Sequence, residues 1–338
     1  MKVAVIGYGY WGPNLVRNFS WTKGVEVKWV CDKDSSQLER VGQMFPNVTH
    51  KTSNYDEVLR DSETQAVAIS TPTRSHFALA KAALEAGKHV LVEKPMTETT
   101  AQAKELVDLA QQKGLVLMTD HTFVYTGAVK KIKELITQGD LGEIYYFDSV
   151  RVNLGLFQND VNVIWDLAPH DLSILLYCLE KEPVAVSAQG MAHVAGQPEN
   201  IAYLTCHFAD KTIAHCHLNW LSPIKIRLIM IGGSKKMLVW DDMVNTEKVK
   251  IYEAGVHLDQ NRENVYQALV RYRTGDMWAP KLDGAEALKV ECAHFIDCIQ
   301  QGKEPLTSGR FGMVIVAMLE AAQKSLQAQG KTIPLDIA

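Results

Sequence analysis

No run of the sequence reaches the roughly 18 uninterrupted apolar residues of a membrane helix, which excludes a membrane-spanning role from the reading. No block of one charge sign exists either: 35 Lys and Arg stand against 39 Asp and Glu, a formal charge of -4, and without a basic stripe nucleic acid is a poor partner. Cysteine is scarce, with six in 338 residues, and Cys31, Cys178, Cys206, Cys216, Cys292 and Cys298 never form Cys-x-x-Cys. That pattern argues against a disulfide scaffold or a zinc knuckle, and reduced thiols fit the cytoplasm. Internal repeats and low-complexity linkers are missing as well. The first residues read as a strand and a glycine turn rather than a cleavable signal. What is present is ordinary globular material, 47% hydrophobic and 22% charged, in a length that suits two domains.

From Met1 to about Asp120, β-rich apolar runs alternate with helix-like segments. Val3 to Ile6, Val25 to Cys31, Ala66 to Ser70, His89 to Val92 and Leu115 to Met118 read as strands. Pro13 to Phe19, Ser36 to Met44, Tyr55 to Arg60, Ser75 to Ala86 and Thr99 to Gln112 read as helices. Strict alternation with near-continuous apolar strands predicts a parallel, doubly wound α/β sheet over residues 1–121. Residues 122–338 change character. Helices are predicted at Thr126 to Thr137 and Asp171 to Cys178, followed by strands between Val184 and Tyr252 joined by turns such as Ala209-Asp210-Lys211. With the strand Glu143 to Val152 they predict an α+β domain whose large open sheet is mostly antiparallel and meander-like. Helical periodicity returns from Ala285 to Gln329, interrupted near Gly302 to Gly312.

Gly7-Tyr8-Gly9-Tyr10-Trp11-Gly12 follows the first strand directly and opens a helix, the context in which Gly-x-Gly-x-x-Gly receives a dinucleotide. The first Gly permits the tight turn, the second lets backbone approach a pyrophosphate, and the third allows close helix-strand packing. Asp32 ends the second strand about 20 residues on, where a carboxylate accepts from the adenine ribose hydroxyls and repels a 2′-phosphate. NAD is therefore expected over NADP, with Lys33 next door softening the preference. Ser70, Thr71 and Pro72 end the third long strand, on the carboxyl side where ligands lie in such sheets. His76 then reads either as a first-turn helix residue or as a cofactor contact.

Glu93-Lys94-Pro95 closes the next strand and places an ammonium where the nicotinamide end of the cofactor belongs. Such a Lys can hold the negative charge that develops on a substrate oxygen, and its pre-proline position favours extended backbone or an unusual peptide geometry. A solvated surface charge is the bland alternative. Asp166-Leu167-Ala168-Pro169-His170-Asp171 spaces a carboxylate and an imidazole four residues apart, on one face of a helical turn. Pro169 suits a first turn. An imidazole titrating near neutrality can accept an alcohol proton while the carboxylate orients it or binds a neighbouring hydroxyl. Asp166 as a helix cap and His170 as a packed histidine explain the same residues equally well.

Taken together, the Gly7 to Gly12 turn, Ser70 to Thr73 with His76, Glu93-Lys94-Pro95 and the Asp166/His170 pair resemble the Gfo/Idh/MocA oxidoreductases, named for glucose-fructose oxidoreductase, inositol dehydrogenase and a rhizopine-catabolism enzyme. The resemblance runs over essentially the whole chain. It implies a Rossmann domain followed by an α+β domain whose sheet serves homodimer or homotetramer contacts, and NAD(P)-dependent chemistry at a sugar or cyclitol carbon. It also implies that Lys94, Asp166 and His170 form the catalytic set, with His170 as acid/base. The Ala168-Pro169 variant, with His121-Thr122-Phe123-Val124-Tyr125, resembles the UDP-N-acetylglucosamine 3-dehydrogenase-like members, which act on nucleotide-linked amino sugars. On that reading His121, Tyr125, Arg151, Asn153, Asn159, Asn162 and Trp165 are candidates to meet the sugar, and Arg271 and Arg273 a diphosphate. Each reads equally as a structural or solvated residue.

The expected activity is NAD-dependent oxidation of a secondary alcohol at C3 of a nucleotide-linked N-acetyl sugar. A ketosugar reductase, an inositol or free-sugar dehydrogenase, and a non-catalytic NAD-binding regulator on the same fold remain as alternatives. Cys206, His207, His215, Cys216 and His217 resemble metal ligands only when written in a row. On strands His215 and His217 share a face that Cys216 does not, so no metal is expected.

Overall fold

The structure, a computed structural model, describes residues 1–155, 161–258 and 270–337. The chain divides into two compact units, Met1–Thr126 with Ala285–Glu320, and Gly127–Gly284 with Ala321–Ala338.

The first unit runs β1 (Lys2–Ile6), α1 (Gly12–Trp21), β2 (Glu26–Cys31), α2 (Ser35–Met44), β3 (His50–Thr52), α3 (Tyr55–Arg60), β4 (Thr64–Ile69), α4 (His76–Glu85), β5 (His89–Glu93), α5 (Thr100–Lys113) and β6 (Leu117–Asp120). Side-chain caps set the helix starts: Asp34, Asn54 and Thr99 each accept from a backbone N–H of the first turn. Gly114, at φ 63°, stops α5 in the left-handed conformation. The strands form a six-stranded parallel sheet in the order β3-β2-β1-β4-β5-β6. The order reverses between β1 and β4, and in a doubly wound sheet that switch point opens a crevice at the carboxyl ends of the strands. Strand β3, whose His50-Lys51-Thr52 carries no apolar run, is an edge strand that periodicity could not reveal.

The second unit contains α6 (Gly127–Thr137), β7 (Ile144–Leu154), α7 (Val163–Leu179), β8 (Ala185–Met191), β9 (Ile201–His207), β10 (Ile213–Asn219), β11 (Leu221–Gly233), β12 (Met237–Asp241), β13 (Val249–Tyr252), β14 (Gly255–Leu258), β15 (Val270–Arg273) and β16 (Met277–Trp278). Two helices follow, α8 (Ala287–Gln301) in the first unit and α9 (Gly309–Gln327), and then β17 (Ile333–Pro334). Among the described residues nine strands make one sheet, ordered β16-β13-β12-β11-β7-β10-β9-β8-β17. It is not an uninterrupted meander. Strand β7 sits between β10 and β11, parallel to the first and antiparallel to the second, so the two strands that adjoin in sequence are parted by an earlier one.

Helix α7 packs on β10 and buries Leu172, Ile174, Leu175 and Leu176. Alternation then turns His215 and His217 to the opposite face, where both rings stack on Tyr203 with centroids 6.0 and 4.7 Å away. Tyr203, Ile213 and Ile224 stay exposed. Cys206 and Cys216 are buried on the covered side. Helix α7 starts at Val163, eight residues before the expected start, and carries Pro169 in its interior rather than in a first turn. Among the described residues no helix is long and apolar enough to cross a membrane.

Candidate active site

The glycine turn shows why each glycine is needed. Gly7 has φ +92°, and a Cβ there would lie 2.7 Å from the Ser70 carbonyl oxygen. At Gly12 a Cβ would run into the Gly7 carbonyl, whereas around Gly9 the space is open. A tight turn, a close helix-strand approach and a bare backbone between them are the features that admit a pyrophosphate, so these residues fit a dinucleotide. Asp32 is fixed beside the turn: its carboxylate accepts from the Tyr8 N–H at 2.6 Å and the Asp34 N–H at 2.9 Å. Lys33 is exposed, and Tyr10 stands out from the turn at 93% exposure. Ser70 donates its hydroxyl to the Gly7 carbonyl at 2.9 Å, which ties the end of β4 to the turn, and Thr71 and Pro72 continue that strand end.

His76 begins α4 and is 1% exposed; its ring nitrogens lie 2.7 Å from the Thr71 carbonyl and 2.9 Å from the Pro95 carbonyl. Burial lowers its pKa. The ring thus bridges the ends of β4 and β5. Glu93 ends β5, the Lys94–Pro95 peptide is cis, and Lys94 is half-buried just past the strand end. His121 follows β6, is buried against the Phe311 ring, and among the described residues has no hydrogen-bond partner on either nitrogen. Burial first, and then the Lys94 charge, push its pKa down to about 3, so it is neutral at ordinary pH. Tyr125, expected near a sugar, is buried and shares a 3.0 Å hydrogen bond with Thr307.

Sequence reasoning missed Glu291, a fully buried carboxyl on α8 that lies beside Asp120 and Thr122. Burial, followed by the nearby charge of Asp120, raises its pKa well above the usual carboxylate value. The folded state therefore holds a proton that the unfolded chain releases near pH 4.3, and stability falls as pH rises above that point, by about 1.4 kcal/mol per unit until the folded pKa is reached. Glu291→Gln removes this dependence. The variant should melt with the wild type at pH 4 and above it at pH 8, and parallel melting curves across that range would refute the assignment.

In the second unit, α7 presents the other candidates. Its N-cap is Asn162, not Asp166: Asn162 Oδ1 accepts from the Ile164 and Trp165 N–H groups, and its Nδ2 donates to Glu199 at 3.0 Å and Gln323 at 2.8 Å. Asn162, expected among the sugar contacts, is thus engaged in holding the helix start. Asp166 and His170 lie one turn apart on α7, both half-buried, with Trp165 half-buried beside them. The Trp220 indole N–H donates to Asp166 Oδ2 at 3.1 Å, a partner that only the β10–β11 connection could bring near. Arg151 is corrected in the same way. Its guanidinium makes a buried two-pronged pair with Asp171, both contacts at 2.9 Å, so Asp171 is an ion-pair partner inside α7. Asn153 donates to the Leu154 carbonyl at 3.2 Å. Arg271 and Arg273 lie on β15, but their side chains, like Asn159, fall outside the described residues. Among the described residues no group of three or more His, Cys, Asp or Glu is placed to hold a metal.

Comparison with known proteins adds to this geometry. Residues 1–121 match the oxidoreductase family with NAD-binding Rossmann fold, and residues 129–239 match the GFO/IDH/MocA C-terminal domain. The chain is 32% identical over 207 residues to UDP-N-acetylglucosamine 3-dehydrogenase of Acidithiobacillus ferrooxidans, covering 59% of this chain and 61% of that protein. It is 29% identical over 248 residues to scyllo-inositol 2-dehydrogenase (NADP(+)) of Bacillus subtilis, covering 69% of this chain and 63% of that protein. The chain thus spans less than two thirds of the length of either curated relative. A solved structure of the Acidithiobacillus ferrooxidans enzyme superposes with a TM-score of 0.80 at 26% identity, over 97% of this chain and 98% of that one. With the glycine turn, the Lys94 strand end and both halves of the family matched in order, the chain belongs to the Gfo/Idh/MocA oxidoreductase family.

Proposed function

We propose that the protein is an NAD-dependent dehydrogenase that oxidises a secondary alcohol of a sugar, with C3 of a nucleotide-linked N-acetyl sugar as its substrate position. The observation that carries this reading is the dinucleotide turn, with open space at Gly9 and Asp32 fixed beside it, in a chain similar over nearly its full length to a UDP-N-acetylglucosamine 3-dehydrogenase. The glycine turn receives the pyrophosphate and Asp32 the adenine ribose, which favours NAD over NADP. Bound NAD supplies the acceptor for the hydride that leaves the sugar carbon.

The chain's own side chains handle the proton and the charge. His170 takes the hydroxyl proton, and Asp166, steadied by Trp220, orients His170 or a neighbouring hydroxyl. Lys94 stabilises the negative charge that develops on the oxygen. The same groups serve the reverse reaction, a ketosugar reduction. Similarity to an inositol dehydrogenase favours a cyclitol as the second substrate reading.

The test is absorbance of reduced nicotinamide when purified protein and NAD are offered UDP-N-acetylglucosamine, glucose and myo-inositol in parallel. Signal with the nucleotide sugar alone is expected. Signal with a free polyol alone replaces the substrate, and silence in both directions of reaction points to a non-catalytic NAD-binding regulator. A homodimer or homotetramer through the exposed Tyr203 and Ile213 face belongs to this reading, and light scattering of the same preparation checks it. All six cysteines are buried and unpaired, which supports a cytoplasmic setting.

A further inference from the structure

Trp11 precedes Gly12 in the dinucleotide turn and is the N-cap of α1, yet its side chain caps nothing. Its indole N–H instead reaches Asp120 Oδ2 at 2.8 Å, at the end of β6. In the sheet, β4 and β5 lie between β1 and β6, so this bond ties the turn to a strand end about 14 Å of sheet width away. The other Asp120 oxygen accepts from the Thr122 hydroxyl at 2.6 Å, and the carboxylate is 2% exposed. A buried anion with two donors is held in one orientation. Glu291 lies close by, and two carboxyls in one buried site cannot both ionise. Burial and the neighbouring Asp120 raise the pKa of Glu291, which keeps its proton.

We propose that Asp120 is a positioning residue for the cofactor, acting through Trp11: the indole held on its carboxylate sets the backbone from Gly9 to Gly12 in the form that receives a pyrophosphate. The inference rests on the NAD-binding reading given above. Nothing local in the sequence announces it, because the two residues stand 109 positions apart.

The test is calorimetric titration of wild type, Trp11→Phe and Asp120→Ala with NAD, ADP-ribose and adenosine. Both variants should bind NAD and ADP-ribose about tenfold more weakly, the loss expected for one charge-assisted hydrogen bond, while adenosine, which has no phosphate, binds as in wild type. NAD affinity within twofold of wild type in Trp11→Phe overturns the proposal, and so does an equal loss of adenosine binding, which signals general damage. Wild-type protein that binds no NAD overturns the cofactor reading instead. If Asp120→Ala does not fold, the indole ¹⁵N spectrum of wild type decides the matter. The resonance that vanishes in Trp11→Phe should be protected from solvent exchange, and rapid exchange overturns the anchor.

Discussion

Lys94→Ala is expected to lower kcat by about 10³-fold, the loss typical when one preorganised donor to a developing oxyanion is removed. The effect should fall on kcat rather than on the dissociation constant for NAD, because the glycine turn and Asp32 are separate from Lys94 and remain in place. Lys94→Arg should not restore the rate. A guanidinium is a broad planar fork, and the site calls for a compact charge on a flexible stem. Steady-state rates at saturating NAD, with NAD affinity measured independently, check both parts. An alanine variant with full turnover would end the proposed role for Lys94, while equal losses in turnover and NAD affinity would make it a cofactor contact instead.

The second large effect is on stability. Asp171→Ala takes the matched carboxylate from Arg151 and leaves the guanidinium buried, in a region where the Arg227 charge already acts on it. Breaking such a pair from one side costs about 3–5 kcal/mol. For a unit of this size the melting temperature should fall by roughly 10 °C. Replacing both partners with apolar residues of similar volume, Arg151→Met with Asp171→Leu, should recover most of that loss, since neither desolvated charge then remains. Differential scanning calorimetry of the single and double variants checks this. A double variant as unstable as the single one would mean that the pair serves something other than packing.

The nucleotide half was legible because its signals are local. Val3 to Ile6 is a continuous apolar run, three glycines follow at fixed spacing, and Asp32 and Lys94 each stand where a strand ends, so residue order alone places them at the carboxyl edge. The helix bearing Asp166 and His170 was legible only in part. Pro169 reads as a first-turn residue, yet α7 runs through it and forgoes the amide bond that would have reached the Trp165 carbonyl. The partners that define the site chemistry are distant in sequence: Trp220 for Asp166, Asp171 for Arg151, Asp120 for Trp11. Periodicity reports which face of an element is buried but not what lies against it. Insertion of β7 between β10 and β11 was hidden for the same reason, since strand pairing is decided after the chain collapses.

The first unit is discontinuous in sequence, and this bears on how the protein is made. Phe19 packs on Phe295 with ring centroids 6.3 Å apart, Arg17 pairs with Glu286, and the Thr119 N–H donates to the Thr307 carbonyl at 2.8 Å. Each of these joins the amino-terminal half, through α1 or β6, to residues that leave the ribosome more than 150 positions later. At about 5–20 residues per second, the nucleotide half therefore waits on the order of ten seconds or more with the groove for α8 uncovered, exposing apolar surface to chaperones and to other nascent chains.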